Sequence, residues 1–378
     1  MRQVRRRETA AMVEATGLEG SRVFVIAEAG VNHNGDLDTA RRLVEAAADA
    51  GADAVKFQTF KAELVVTADA AKADYQSKRT GAGETQFEML KRLELSRQDH
   101  RVLKPLSDEI GIEFLSTPFD EAAADFLARE IGVARVKVPS GEITNAPFLL
   151  HIARLGLPVI LSTGMSTFDE VEGALGVLAH GFSGTEGPPD EGARIGADEL
   201  KSLRTKVTLL HCTSEYPAPF EDVNLNVLPA MAARFLLPVG LSDHTPGHAA
   251  ALGAVALGAT VIEKHLTLDK AMPGPDHAAS LEAQEFVELV ANIRALEAAL
   301  GTGDKRPQRS ETATMAVARR SLVALRPIKA GEVFAEDNVG AKRPGTGLSP
   351  MKYWQMLGQR APRDFDADEL IVLDSDGS

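Results

Sequence analysis

The sequence predicts an α/β protein, a (β/α)8 TIM barrel followed by a small C-terminal β-rich domain. Short β-rich apolar runs alternate with longer helical patterns through the first 300 residues. Each run is a short apolar stretch with a polar tip rather than a strict alternation, which is how strands buried on both faces of a parallel sheet read. Eight of them over about 280 residues match a barrel, whereas a doubly wound sheet usually has fewer strands and a Gly-rich first turn. No G-x-G-x-x-G follows the first run.

In chain order the runs are VFVIAEAG (23–30), AVKFQTF (54–60), EFLSTPF (113–119), RVKVPSG (135–141), PVILSTG (158–164), VTLLHCT (207–213), PVGLSDH (238–244) and VIEKHL (261–266). Helical patterns fill the gaps; one carries Leu37, Ala40, Leu43, Val44 and Ala47 at helical spacing. Asp36 and Asp169 read as N-terminal helix residues, and Gly51, Gly156 and Gly258 as helix stops. Residues 181–206 are rich in Gly, Pro and acid and read mainly as a surface insertion. The expected organisation is a tail over 1–21, the barrel over 22–300, a linker over 301–318 and a β-rich module over 319–378.

A net charge of −13 argues against a nucleic-acid binder, since phosphate contacts need a basic surface. The local exception, Arg2 with Arg5, Arg6 and Arg7, reads as a solvated tail. A single cysteine, Cys212, excludes an intrachain disulfide. No apolar segment follows the basic N-terminus, and no run is long enough to span a bilayer. A cytoplasmic protein without membrane partners is expected.

Active sites of such barrels form at the C-terminal ends of several strands at once. The strand ends supply Glu28, Asn32 and His33; Lys56 and Gln58; Ser116 and Thr117; Lys137, Ser140 and Glu142; Ser162 and Thr163. The last three supply His211 and Thr213, then Ser242, Asp243 and His244, then Glu263, Lys264 and His265. Two lysines among hydroxyls imply a substrate carrying phosphate or carboxylate. The bland alternative is that Lys56 and Lys137 merely pair with Glu28 and Glu142. His244 and His265 end adjacent strands, so their imidazoles can meet above the barrel and hold a divalent metal, with Mn2+ expected and Mg2+ or Co2+ also suited. A buried strand lysine equally permits Schiff-base chemistry.

With these residues placed, the chain resembles the sialic acid synthase family, the phosphoenolpyruvate-condensing N-acylneuraminate synthases. The resemblance runs from about residue 22 to about residue 372 through IAEAGVNHNG, AVKFQTF, STPFD, KVPSGE, LSTGM, LLHCTSEYPAPFEDVNLN, GLSDHT, IEKHLTLDKAMPGPDHAASLE and KRPGTGLSP. It implies an antifreeze-like (SAF) C-terminal domain and a domain-swapped homodimer. It also implies metal ligands at His244 and His265, and phosphoenolpyruvate contacts at Lys56, Thr117, Lys137, Ser140, Ser162 and Ser242. The acidic site residues fall on Glu28, Glu142 and Asp276, and sugar contacts on Gln58, Tyr216 and Arg343. Three positions depart from the pattern. Ser214 replaces a common asparagine and keeps a hydroxyl for the phosphate; Arg79 in KRTG and Thr346 in KRPGTG also replace asparagines.

The implied reaction joins phosphoenolpyruvate to the open-chain aldehyde of a 2-acetamido-mannose-type sugar, either N-acetylmannosamine or 2,4-diacetamido-2,4,6-trideoxymannose. The products are a nine-carbon 2-keto sugar acid, sialic or legionaminic, and phosphate, with C–O cleavage. The metal acts as Lewis acid on the aldehyde. Glu142 leads as the base, ahead of Glu28 and Asp276. Two alternatives stand beside this reading: a Schiff-base lysine aldolase or lyase, and a sugar-binding protein without catalysis.

Overall fold

In a computed structural model of the chain, described over residues 22–72, 77, 79, 83–189 and 195–372, the backbone divides after Gly301 into two compact units. The basic N-terminal cluster lies outside the described residues.

The first unit is the barrel. Its strands are β1 (Phe24–Gly30), β2 (Ala54–Thr59), β3 (Glu113–Pro118), β4 (Val136–Val138), β5 (Val159–Ser162), β6 (Val207–Cys212), β7 (Val239–Asp243) and β8 (Val261–Thr267). All ladders between them are parallel, and the hydrogen-bonded order is β3-β2-β1-β8-β7-β6-β5-β4. β3 and β4 touch without a ladder, so the circle is nearly closed. Each expected strand is present; the first seven are trimmed at their ends and the eighth runs one residue further, to Thr267.

Local chemistry sets the connections. Asp36 caps the helix Leu37–Asp49 by accepting from the Thr39 N–H, and that helix buries Ala40, Leu43, Val44 and Ala47. Asp169 lies in the first turn of the helix Phe168–Ser183, whose cap is Thr167 in a reciprocal box with Glu170. Gly51, Gly156 and Gly258 take left-handed conformations where helices stop. The 181–206 segment differs from a plain insertion, because its last ten residues form the helix Ala197–Lys206, boxed by Glu199 and anchored by buried Leu203. Its residues 190–194 lie outside the description.

Strand alternation places the site. One inward layer is apolar: Ile26, Ala54, Leu115, Ile160, Leu210 and Val261. β7 contributes Gly240 there; a Cβ on it would lie 2.7 Å from Leu210 Cδ2 and 2.9 Å from Val261 Cβ, so only glycine fits. Two residues further up the same strands come Glu28, Lys56, Thr117, Ser162, Cys212 and Glu263, and Ser242 follows Gly240. The barrel interior therefore changes from oil to charge within one pleat. A larger apolar shell of Val, Leu, Ile and Phe seals the strands' outer faces against the helices.

The second unit holds β10 (Ser321–Ala324) antiparallel to β11 (Val339–Lys342), the short β9 (Leu281–Glu282) having paired with β8 in the barrel. Isolated bridges and turns complete it around Leu322, Ile328, Phe334, Val339, Met356, Phe365 and Ile371. Residues expected as linker include a 3-10 turn (Arg309–Glu311) and the helix Thr312–Ala318.

Candidate active site

Four ionic groups meet inside the mouth of the barrel. Lys56 Nζ, rising from β2, lies 2.8 Å from Glu28 Oε2 on β1 and 3.7 Å from Glu263 Oε2 on β8, and donates to Thr117 Oγ1 at 3.1 Å. Lys137 Nζ from β4 lies 3.8 Å from Glu263 Oε1, which also accepts from the Ser242 hydroxyl at 2.8 Å. Gln58 approaches the other side of Glu28, its amide 3.4 Å from Oε1. All four ionic side chains are buried.

The charges follow from this geometry. Burial pushes Glu28 up to about 7, because Lys56 only partly offsets the lost hydration and Glu263 repels it. Burial acts on Glu263 in the same direction, but Lys137, Lys56 and the Ser242 hydroxyl outweigh it and hold the carboxyl at about 2. Glu263 faces both lysines and Glu28 only one, so Glu263 is the ionised partner. Burial would lower Lys56, yet Glu263 and Glu28 raise it; Lys137, with less compensation, is lowered.

Beside this centre stand three rings. His244 and His265 have centroids 5.6 Å apart, and Tyr216 packs 4.1 Å from His244 and 5.5 Å from His265. His244 Nδ1 donates to the Thr213 carbonyl at 2.7 Å, which leaves Nε2 with its lone pair. His265 Nδ1 is buried with no hydrogen-bond partner. Burial lowers both imidazoles and keeps them neutral at pH 7, with His244 adding to the effect on His265. Two neutral imidazoles, His265 with Nδ1 unpartnered and His244 with Nε2 only in a long 3.4 Å contact to the Ser242 hydroxyl, fit a divalent cation whose remaining ligands are oxygens. Among the described residues no group of three or more His, Cys, Asp or Glu has metal-binding geometry.

A second cluster lies on β4–β6. Ser140 Oγ is 3.0 Å from Cys212 Sγ and accepts from the Gly164 N–H at 2.9 Å. Ser162 Oγ is buried and unpartnered. A cavity of about 710 Å³ opens alongside, walled by Thr163, Cys212, Ser214, Glu215, Phe168 and Met231 among others. Neither lysine nor His244 lines it, so it flanks the charged centre rather than enclosing it.

The structure thus brings Glu28, Lys56, Thr117, Lys137, Ser242, His244, His265, Gln58 and Tyr216 into one neighbourhood. Glu142 is different. It ends the 3-10 turn Ser140–Glu142, half-buried, and accepts from the Asn145 amide at 2.7 Å. Among the described residues no ion pair or hydrogen bond ties it to the lysines, so the alternative Lys137–Glu142 pairing gives way to Lys137–Glu263. Asp276 lies buried on the loop after β8, and loss of hydration alone pushes it up to about 6. Arg343 is exposed in the second unit, just after β11. Arg79 is exposed, while Lys78, Thr80 and Gly81 lie outside the described residues. Asp243 and Lys264 point outward and form a buried ion pair of 2.7 Å. His211 also points outward, its Nε2 donating to the Val223 carbonyl at 2.6 Å, and His33 packs near Phe57.

Glu263 is the residue that sequence reading left without a role. A carboxylate two positions before His265, hence on the same face of the strand, was the available signal.

A buried lysine pair balanced by carboxylates, beside neutral imidazoles at the carboxyl ends of parallel strands, defines a barrel enzyme for an anionic substrate. The chain belongs to the NeuB family, which it matches over residues 43–305, and carries a SAF domain over residues 319–375. It is 48% identical over 350 residues to the N,N'-diacetyllegionaminic acid synthase of Campylobacter jejuni, covering 93% of this chain and 99% of that protein. The synthase of the same name from Legionella pneumophila is 46% identical, over 92% of this chain and 93% of its own. Among solved structures, the N-acetylneuraminic acid (sialic acid) synthetase of Leptospira borgpetersenii, in complex with citrate, superposes with a TM-score of 0.64 at 34% identity, covering 78% of this chain and 91% of that one.

Proposed function

We propose that the chain condenses phosphoenolpyruvate with 2,4-diacetamido-2,4,6-trideoxymannose to give a diacetylated legionaminic acid and phosphate. The observation that carries this reading is the convergence of Lys56 and Lys137 on one buried point beside the His244–His265–Tyr216 rings. The choice of sugar over N-acetylmannosamine rests on the identity to the two legionaminic acid synthases.

In this reading Lys56, Lys137, Thr117, Ser140, Ser162, Ser214 and Ser242 hold the phosphate and carboxylate of phosphoenolpyruvate. Incoming negative charge competes with Glu263 and Glu28 for the lysines. Glu28, buried 2.8 Å from Lys56, moves the proton, in place of Glu142, which is tied to Asn145. Tyr216, Gln58 and Asp276 orient the sugar, and orientation contributes several kcal/mol of barrier reduction in such reactions. His244 and His265 would hold a divalent metal, Mn2+ by preference, which would supply Lewis acidity for the aldehyde. Family likeness further supports a homodimer with exchanged C-terminal domains, in which Arg343 of one protomer serves the other's sugar. Phosphoenolpyruvate and a lone, buried cysteine fit a cytoplasmic setting; no helix among the described residues is long and apolar enough to cross a membrane.

The lowered Lys137 favours one competing reading, a Schiff-base aldolase, since an amine must be neutral to attack a carbonyl. Both are tested together. Phosphate release from phosphoenolpyruvate is measured with each sugar, each metal being added to chelated enzyme. The proposal expects metal-dependent release, fastest with the diacetamido sugar. Metal-independent turnover with a keto acid, trapped covalently by borohydride, would establish the aldolase instead.

A further inference from the structure

We infer that Gly164 is a positioning residue for the anionic substrate: its missing side chain is what lets Ser140, Cys212 and Ser214 close into one compact polar floor at the ends of β4 and β6. The inference rests on the phosphoenolpyruvate reading above and assigns a part to a residue that carries no functional group.

The geometry is specific. A Cβ built on Gly164 would lie 2.8 Å from Ser140 Oγ and 2.7 Å from Cys212 Sγ, and nearer still to Ser214 Oγ. These three atoms come from two different strand ends, after β4 and at β6, and real Cβ atoms do not approach heavy atoms so closely. Every neighbour blocking a methyl group is therefore a small polar side chain. The hydrogen at Gly164 is needed because the hydroxyls and thiol crowd the space a methyl would take.

The Gly164 peptide is also held from both sides. Its N–H donates to Ser140 Oγ at 2.9 Å, and its carbonyl accepts from Ser166 Oγ at 3.1 Å. The preceding Thr163 donates through both N–H and hydroxyl to the Leu210 carbonyl, at 2.9 and 3.1 Å. The following Met165 takes φ of 60°, a left-handed conformation unusual for its side chain, and leaves that side chain 75% exposed. The chain thus accepts a sparsely populated backbone conformation immediately after the residue that must sit against the floor.

The consequence is chemical. A backbone N–H can only donate, so the Ser140 oxygen accepts from it, and with the Cys212 thiol donating to the second lone pair the Ser140 proton is left to point at an incoming anion. Cys212 Sγ lies 3.0 Å from that oxygen and closes the floor from β6. Gly164 therefore orients a hydroxyl donor at the end of β4, three residues after Lys137. Preset donors lose less entropy and need less reorganisation when the anion arrives.

The test is G164A with S140A, S214G and the doubles G164A/S140A and G164A/S214G, in full-length chelated enzyme with metal restored. Kinetics are read separately for phosphoenolpyruvate and sugar, with phosphoenolpyruvate binding measured by calorimetry. G164A is expected to raise the phosphoenolpyruvate KM roughly tenfold or more, while the sugar KM and kcat move by less than about threefold. Because Gly164 acts through Ser140, G164A/S140A should bind no worse than G164A, and G164A/S214G, which relieves the nearest contact but gives up a phosphoenolpyruvate hydroxyl, should fold like the parent with its phosphoenolpyruvate KM still raised. A parental phosphoenolpyruvate KM in G164A overturns the inference. So does an equal loss in all parameters, or failure of both G164A and G164A/S214G to fold, since either assigns the glycine to packing. If the parent enzyme releases no phosphate, it is the proposed reaction that fails. Calorimetry on phosphoenolpyruvate alone then still decides Gly164, since unchanged binding in G164A sinks it.

Discussion

Replacing Glu263 with glutamine removes one charge, keeps the side chain's shape and leaves an amide oxygen to accept from Ser242. Its carboxylate lies 3.7 Å from Lys56 Nζ and 3.8 Å from Lys137 Nζ. Unit charges near 4 Å attract by about 4 kcal/mol at an effective dielectric of roughly 20, so the two lysines supply about 8 kcal/mol of gross attraction. Desolvation of the carboxylate takes back several kcal/mol, and removing one partner of a buried pair costs about 3–5 kcal/mol net. For a domain of this size that is a fall in Tm of roughly 10 °C. The assay is thermal unfolding by far-UV circular dichroism, at pH 7, of chelated and ligand-free E263Q against the parent. Trp354, the lone tryptophan, lies in the second unit, so its fluorescence serves as an internal control. Phosphoenolpyruvate should stabilise E263Q more than the parent, because the substrate's charge takes the place of the missing carboxylate. A Tm within about 2 °C of the parent would refute the charge balance drawn here.

Two further outcomes follow from the same site. Asp276 has a folded pKa of about 6 against an ordinary value of 3.8, so between those values the folded state binds the extra proton and stability falls as pH rises. D276N should therefore match the parent near pH 4 and exceed it by about 3 kcal/mol at pH 7 in denaturant titrations; equal stability at both pH values would contradict the burial. His244→Ala with His265→Ala should abolish both Mn2+ binding in calorimetry and metal-stimulated phosphate release, whereas retained stoichiometric Mn2+ binding would move the metal elsewhere.

Much of the barrel was legible because its strands are buried on both faces. Runs such as VTLLHC and VIEKHL have no amphipathic alternation to confuse them with surface strands. Two helices were not legible. Ala197–Lys206 buries only Leu203 and follows a Gly/Pro-rich stretch, and Thr312–Ala318 buries nothing, so neither prints a strong apolar period. The imidazole pair was readable, since adjacent strand ends are fixed by chain order in a barrel. The role of Glu263 was not, because Lys56 and Lys137 reach it from β2 and β4 only once the circle closes. Glu142 shows the reverse. It stands at a strand end in the sequence, but the turn after β4 directs it to Asn145.

The reaction itself is tested most directly by isotope. Phosphoenolpyruvate carrying oxygen-18 in its bridging position is turned over with the diacetamido sugar, and both products are analysed by mass spectrometry. Condensation at the lysine cradle with C–O cleavage places the label in inorganic phosphate. Label retained in the keto acid would mean that the P–O bond breaks, and the proposed chemistry would be wrong.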